Sequence, residues 1–271
     1  MKEKVESTFS EGNRPGLATV LVGEDPASQT YVRIKHKACE DVGVTSKGIT
    51  LPDDASFDDV AQALRDLNVD PEIDGILLQL PLPDALRPQT STLMEIIAPD
   101  KDVDCFTRSN MGALIAGEGL FAPCTPKGIV HLLPATGESW EGKDVVIINR
   151  SVEVGKPLAL LLIRENATVT VCHTRTKDIA AHTRAADVVI VGVGRVGYLT
   201  EDMVSDGAII IDVGTNRNEE GKLVGDADFD ALLPKVKLIT PVPGGVGPMT
   251  VAMLMENTFI AAKNRRDKQA T

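Results

Sequence analysis

Four short apolar runs, DVVIINR (144–150), ATVTVCH (167–173), DVVIVGVG (187–194) and AIIIDVG (208–214), alternate with segments of helical length, and VKLITPVPGG (236–245) adds another. The runs are apolar nearly throughout, which is how strands read when both of their faces are buried. Parallel strands need a crossover between them, usually a helix. The alternation therefore predicts a doubly wound parallel sheet covered by helices, an α/β architecture. Aromatic residues are 3% of the chain, so its core has to be built from Val, Ile, Leu and Ala.

The first half repeats the theme on a smaller scale. LATVLVG, from residue 17, reads as a strand, and the polar start after it leads into helical spacing of Tyr31, Ile34, Ala38 and Val42. TSKGIT follows as a strand, SFDDVAQALRDLNVD as a helix with Phe57, Val60, Leu64 and Leu67 on one face, and IDGILLQLPLP as a strand ended by prolines. The order is βαβαβ. Helical and loop pieces fill Pro88 to Gly119. APCTPKG (122–128), with two prolines and a glycine, is the expected boundary between two lobes. The tail predicts a helix with Val251, Leu254, Met255, Thr258 and Phe259 near one face, returning to the first lobe. The expected domains are residues 1–122 completed by 250–271, and residues 123–249.

A formal net charge of -11 and a pI near 4.9 leave too little basic surface for nucleic acid to be a partner. The four cysteines, Cys39, Cys105, Cys124 and Cys172, lack CxxC spacing, so neither a metal site nor a disulfide framework is expected. No apolar leader and no membrane span is read, which makes the cytoplasm the default.

In a doubly wound sheet ligands collect beyond the carboxyl ends of the strands. The first strand of the second lobe ends in RSVEVGKP with Gly155 alone, not in a GxGxxG turn. The match to that pattern, GVGRVG (192–197), comes later and suits either a turn beside a cofactor or a purely structural one. Asn149, Arg150 and Ser151 lie at the strand's carboxyl edge before a helix opening at about Pro157. The arginine there is open to a ligand role and to a solvated one. The next strand ends in HTRT (173–176) where a carboxylate for a free ribose 2'-hydroxyl is usual, so a 2'-phosphate, hence NADP, is favoured. Arg175 pointing to solvent remains the other reading. In YVRIKHKACE (31–40) positive charge gathers on an acidic chain, and lysines on helices are mostly solvated.

Taken together, VGEDPASQTYVRIKHKACEDVG (22–43), GILLQLPLP (75–83), PDKDVDCFTRSNMG (99–112), PCTPKG (123–128), NRSVEVGKPLALLL (149–162), VCHTRTKDI (171–179), IDVGTN (211–216) and PVPGGVGPMT (241–250) resemble the bifunctional methylenetetrahydrofolate dehydrogenase/methenyltetrahydrofolate cyclohydrolase family over nearly the whole chain. The resemblance implies an αβ catalytic lobe and a Rossmann-like NAD(P)-binding lobe. It also implies one-carbon metabolism serving purine biosynthesis, and a homodimer. The implied chemistry is oxidation of 5,10-methylenetetrahydrofolate with NADP+ and hydrolysis of the 5,10-methenyl product to 10-formyltetrahydrofolate at the same site.

Carried over residue by residue, the resemblance makes Lys35 the catalytic lysine, with Tyr31 one helical turn before it and Ser28 opening the S-x-x-Y-x-x-x-K pattern. Gln79 is the glutamine that hydrogen-bonds this lysine, Asp104 the carboxylate that reads the pterin, and Asp102 a carboxylate that holds the loop. Leu80, Pro243 and Gly244 join the substrate set. The cofactor set is Asn149, Arg150, Ser151, Val154, Gly155, Pro157, His173, Thr174, Arg175, Thr176, Gly192, Val193, Gly194, Asp212, Gly214, Gly245 and Thr250. Arg33 and Lys37 serve the surface or attract the anionic folate tail. His36 is a surface or packing histidine.

Departures from the family pattern are Asn149 and Cys105 at positions where glycine is commoner, and Val196 where proline is usual. Cys105 is expected to stiffen or misplace the loop bearing Asp104. The chain also enters at MKEKVESTFSEG, as if a further opening strand and helix were missing. Two competing readings are a folate-binding protein of the same fold with impaired turnover, and another two-lobed NADP oxidoreductase resembling shikimate dehydrogenase. A synthetase activity is not expected without a GxxxxGK[ST] motif.

Overall fold

The structure is a computed structural model that describes residues 1–269; Ala270 and Thr271 of the expected tail helix lie outside the described residues. The chain forms two compact units, one of residues 1–124 with the chain end from Val251, the other Thr125–Thr250.

The first unit contains α1 (Lys2–Thr8), β1 (Gly16–Val22), α2 (Pro26–Val42), β2 (Thr45–Leu51), α3 (Phe57–Val69), β3 (Gly75–Leu78), α4 (Thr90–Met94) and α5 (Arg108–Ala116). Its parallel sheet has the order β2-β1-β3, with β1, buried at every position, in the centre. Ala18, Val20 and Val22 pack with Val60, Leu64 and Leu67 of α3. Leu17, from the opposite face of β1, joins Cys39 of α2 together with Leu254 and Met255. Each of the Val, Leu and Met side chains among these contributes about 1.5–3 kcal/mol when fully buried. A capping box between Ser56 and Asp59 starts α3. At its other end the buried Lys101 ammonium donates to the carbonyls of Leu67 and Asp70.

Helix α2 is set by its ends: the Asp25 carboxylate accepts from the Ser28 amide at 2.7 Å, Pro26 occupies the first turn, and Gly43 closes the helix at φ 81°. Its inward stripe differs from the expected one. Tyr31 and Ile34 are exposed, whereas Ser28 and Cys39 are buried and Lys35 is half-buried between them. Positions 28, 35, 39 and 42 share a helical face, and a serine and a lysine on it are invisible to apolar periodicity.

The second unit contains α6, which runs Cys124–Leu132 from the last residue of the first, then β4 (Asp144–Ile148), α7 (Gly155–Arg164), β5 (Thr168–Cys172), α8 (Ile179–Arg184), β6 (Val188–Val191), β7 (Ile209–Asp212), β8 (Asn216–Arg217), β9 (Leu223–Val224), α9 (Phe229–Leu232), β10 (Leu238–Ile239) and only the opening residues of α10 (Val246–Gln269). The parallel sheet has the order β10-β7-β6-β4-β5, and β8 and β9 form a small antiparallel ribbon. From β4 the chain winds outward to β5, then returns to place β6 on the other side of β4. The strand order reverses at β4/β6, the place where such sheets bind ligands.

The two units divide between Cys124 and Thr125, inside APCTPKG, and the helices that begin there and at the tail run through prolines and glycines. APCTPKG does not interrupt a helix: α6 runs through Pro126 and Gly128. Pro126 lies in the first turn, where its missing N–H leaves no hydrogen bond unmade. Gly128 is required by packing, because a Cβ there meets the Met249 Cβ at 2.9 Å. The tail helix starts at Val246, not at Met249 or Thr250, and takes in Pro248 as another first-turn proline. From Val251 onward α10 belongs to the first unit, where Arg265 and Arg266 both reach the buried Asp74 carboxylate, at 2.7 and 2.9 Å. Among the described residues no helix is long and apolar enough to cross a membrane.

Candidate active and cofactor sites

In the first unit, Lys35 extends from the middle of α2 and its Nζ donates to Gln79 Oε1 at 2.9 Å. Gln79 follows β3, its backbone amide bonded to the Val20 carbonyl at 2.8 Å and its Nε2 to the Leu80 carbonyl at 2.6 Å. The second contact fixes the amide so that its oxygen faces the lysine. Burial holds the Lys35 ammonium below the ordinary lysine value of 10.5, while Asp104 and Cys124 oppose that shift. Tyr31, 40% exposed, stands one turn earlier on the same helix.

Asp104 lies on a tight loop. Burial pushes its carboxyl above the ordinary carboxylate range, and Lys35 and a hydrogen bond with Cys124 pull it part of the way back. Amine and acid are thus both shifted toward their neutral forms by burial. Asp102 holds the loop: it accepts from the amides of Phe106 (3.2 Å) and Thr107 (2.8 Å) and from Asn110 Nδ2 (2.9 Å). Cys105 adopts φ 63°, the left-handed region in which a glycine is unstrained.

Two residues at this site escaped sequence reading. Cys124 donates to the Val103 carbonyl at 3.4 Å and contacts Asp104; it stood in PCTPKG, a run that looked like punctuation. Asn257, fully buried on α10, donates to the carbonyls of Val103 (2.8 Å) and Ala122 (2.9 Å) and to Cys124 Sγ (3.6 Å). Its one visible signal was a polar residue within an apolar helical face.

Of its two readings, surface or packing, His36 takes the packing one. Its Nε2 is hydrogen-bonded to Thr19 Oγ1 at 2.8 Å, so the ring is turned inward onto β1. Lys37 is paired on the surface with Glu40 and Asp41, and Arg33 bonds Thr30 on its own helix.

In the second unit, Asn149 at the end of β4 spans the point where strand order reverses. Its Nδ2 donates to the Gly192 carbonyl beyond β6 at 2.5 Å, and its Oδ1 accepts from the amides of Ser151 (2.7 Å) and Gly155 (3.2 Å). Ser151 Oγ accepts from the Val154 amide at 3.0 Å. The loop entering α7 is therefore wrapped on its own side chains. Gly155 is needed there because a Cβ would meet the Asn149 carbonyl oxygen at 2.2 Å, and Pro157 is buried in the first turn. Arg150 is exposed.

Strands β4 and β5 pair with Ile148 opposite Cys172, so Arg150 and Thr174 lie two residues beyond paired positions at the same sheet edge. Thr174 and Arg175 are exposed. The turn is held by the His173 amide donating to Thr176 Oγ1 (2.9 Å) and the Arg175 amide donating to His173 Nδ1 (3.1 Å). No carboxylate stands in HTRT.

GVGRVG is a structural turn in its hydrogen bonding. The amides of Val193, Gly194 and Arg195 all donate to the Asp226 carboxylate, which occupies the place an anion would take in a phosphate loop. Asp212 is likewise committed: it is buried, and its oxygens accept from the amides of Gly214, Asp226 and Ala227 at 2.8, 3.0 and 2.8 Å. A Cβ at Gly214 would lie 2.5 Å from Asp226. Backbone contacts from Val193 and Gly194, and a side-chain contact from Asp212, are thus taken before any ligand arrives. Pro243 and Gly244 are exposed, with Gly244 at φ 113°, while Gly245 packs under Pro241. Thr250 Oγ1 is bonded to Thr125 Oγ1 at 2.9 Å.

Comparison with known proteins shows which family the chain belongs to. Residues 1–104 match the family model described as tetrahydrofolate dehydrogenase/cyclohydrolase, catalytic domain, and residues 123–266 match the NAD(P)-binding domain of the same family. The bifunctional protein FolD of Methanoculleus marisnigri is 51% identical over 265 residues, covering 98% of this chain and 92% of the relative. The crystal structure of the bifunctional FolD methylenetetrahydrofolate dehydrogenase/cyclohydrolase from Campylobacter jejuni superposes with a TM-score of 0.93 at 49% identity, covering 97% of this chain and 93% of that one. That of Trypanosoma brucei FolD, complexed with NADP cofactor and an inhibitor, has a TM-score of 0.91 at 38% identity, covering 97% and 92%. The chain belongs to the tetrahydrofolate dehydrogenase/cyclohydrolase family.

Proposed function

We propose that the chain oxidises 5,10-methylenetetrahydrofolate to the 5,10-methenyl form with NADP+ and hydrolyses that product to 10-formyltetrahydrofolate. The observation that carries the reading is the Lys35–Gln79 hydrogen bond beside Asp104. Hydrolysis adds water to an amidinium carbon, collapses a tetrahedral adduct and opens a ring, so it needs a group that exchanges protons near neutrality. Lys35 is that group: desolvation favours its amine, and Gln79 orients it without adding a charge that would favour the ammonium. Asp104 receives the pterin's N–H groups, and exposed Tyr31 bounds the ring system. Leu80 completes the substrate contacts of the first unit.

Residues 1–122 with the tail helix form the folate-binding catalytic domain, and residues 123–249 the cofactor domain. The donors at the edge of β4 and β5 fit a 2'-phosphate, since Arg150, Thr174 and Arg175 are exposed there and HTRT itself holds no carboxylate. When bound, NADP+ supplies the hydride acceptor; the protein's part is to hold and orient the reactants. A cytoplasmic homodimer completes the reading, and light scattering at two concentrations checks the dimer.

The test is an absorbance assay of methenyltetrahydrofolate formation with NADP+ and NAD+, followed by decay of the same band. Formation favouring NADP+, then decay, supports the reading. Folate binding without turnover would leave a binding protein of this fold, and turnover of another hydroxy or keto substrate would leave a different oxidoreductase.

A further inference from the structure

His36 sits in a built slot. Its imidazole Nε2 bonds Thr19 Oγ1 at 2.8 Å, and Thr19 is 1% exposed on the central strand β1. The residue paired with Thr19 on β2 is Gly48. A Cβ on Gly48 would lie 2.9 Å from His36 Cε1, so the strand leaves out a side chain at the position the ring covers. A hydroxyl, a missing Cβ and a helix-borne imidazole thus meet in register at the centre of the first unit's sheet.

The slot lies one residue from Lys35. Elsewhere on its inner face α2 is held by Ala38, Cys39 and Val42 in an apolar cluster. Apolar packing is non-directional and resists sliding or rotation of a helix only weakly. A hydrogen bond to a fixed strand is directional, and it sets both the height and the rotation of α2 where the lysine leaves it. The Lys35 Nζ to Gln79 Oε1 distance of 2.9 Å tolerates little displacement before the bond is lost.

We propose that His36 is a positioning residue for Lys35: locked to Thr19 over Gly48, it fixes the rotation of α2 that aims the lysine at Gln79. The inference rests on the reading of Lys35 as the proton-handling group of the hydrolytic step. Because hydride transfer has no need of that proton exchange, loss of the anchor separates the two half-reactions.

The test compares His36→Leu, Thr19→Val, their double variant and His36→Gln with the parent in both half-reactions, alongside thermal unfolding; Lys35→Met is measured in the same series. His36→Leu and Thr19→Val are each expected to lower cyclohydrolase kcat about tenfold, with folate KM and dehydrogenase kcat within about threefold, since small misplacements near a reacting group cost up to ~100-fold. The double variant should be no worse than either single one, as one shared bond is being removed. His36→Gln, which keeps a polar nitrogen at similar reach, should retain most of the hydrolytic rate. Hydrolysis within about threefold of the parent in both single variants would overturn the proposal, as would a parallel fall of both half-reactions that tracks a lowered Tm. If Lys35→Met itself left hydrolysis intact, the reading of Lys35 would fail first, whatever His36 does.

Discussion

Lys35 Nζ and Gln79 Oε1 are 2.9 Å apart, and the glutamine is pinned from behind by the 2.6 Å bond from its Nε2 to the Leu80 carbonyl. The pair makes the lysine's protonation state depend on a neutral, oriented acceptor. Since burial holds Lys35 below 10.5, cyclohydrolase kcat should rise with pH through a midpoint below that value as the amine forms. Gln79→Glu places a carboxylate against the ammonium, stabilises the charged form and should move the midpoint upward. A pH–rate profile of the two proteins checks this; a downward shift or none would remove Gln79 from control of the lysine.

Arg150 and Thr174 leave the same sheet edge two residues beyond a paired position, and both are exposed. Arg150→Ala should raise the NADP+ KM more than the NAD+ KM, because only the former loses a charge-assisted contact. Such contacts are typically ~1.5–3 kcal/mol, or about ten- to a hundredfold. Equal rises with the two cofactors would show that Arg150 does not discriminate.

How much of this was legible in the sequence differs between the two units. The buried strands β4, β6 and β7 of the second sheet are written in Val and Ile runs, so they and their helical spacing could be read directly, and the alternating TVTVC of the edge strand β5 fits the same spacing. The stripe of α2 could not, because Ser28 and Lys35 lie on it while Tyr31 and Ile34 do not. GVGRVG read as a possible phosphate turn for a local reason, while the Asp226 carboxylate that fills it comes from more than 30 residues downstream. Cys124 and Asn257 were missed, and the choice between a surface and a packing His36 stayed open, as their roles come from partners distant in sequence. Proline and glycine in APCTPKG mark the run where the units divide, but not that α6 forms across it, with Pro126 in the first turn and Gly128 against Met249.

Cys105 carries backbone strain that a glycine would not, at a site where its side chain is also buried. Left-handed geometry costs an L-residue roughly 1–2 kcal/mol, and a glycine gives back about half of that through a freer unfolded chain. Cys105→Gly should therefore leave stability within about 1 kcal/mol, whereas Cys105→Val, β-branched in the same geometry, should lower it by about 2 kcal/mol or more. Urea unfolding ranks the three; Val as stable as Cys would contradict the strain.

Asp74 is 1% exposed and joins the Gly16 amide to Arg265 and Arg266 of α10. Removing one partner of a buried ion pair strands the rest, so Asp74→Ala should cost about 3 kcal/mol or more in urea unfolding. A loss below about 1 kcal/mol would mean that the Asp74 ion pairs contribute little to holding α10.

The central claim is that Lys35 handles protons for hydrolysis and not for hydride transfer, and Lys35→Met tests it most directly. Steady-state rates of both half-reactions on one preparation are expected to show cyclohydrolase turnover lowered about 100-fold or more, within the range removed with an acid/base group, and dehydrogenase turnover still measurable. Hydrolysis within about threefold of the parent, or loss of hydride transfer with hydrolysis retained, would contradict it.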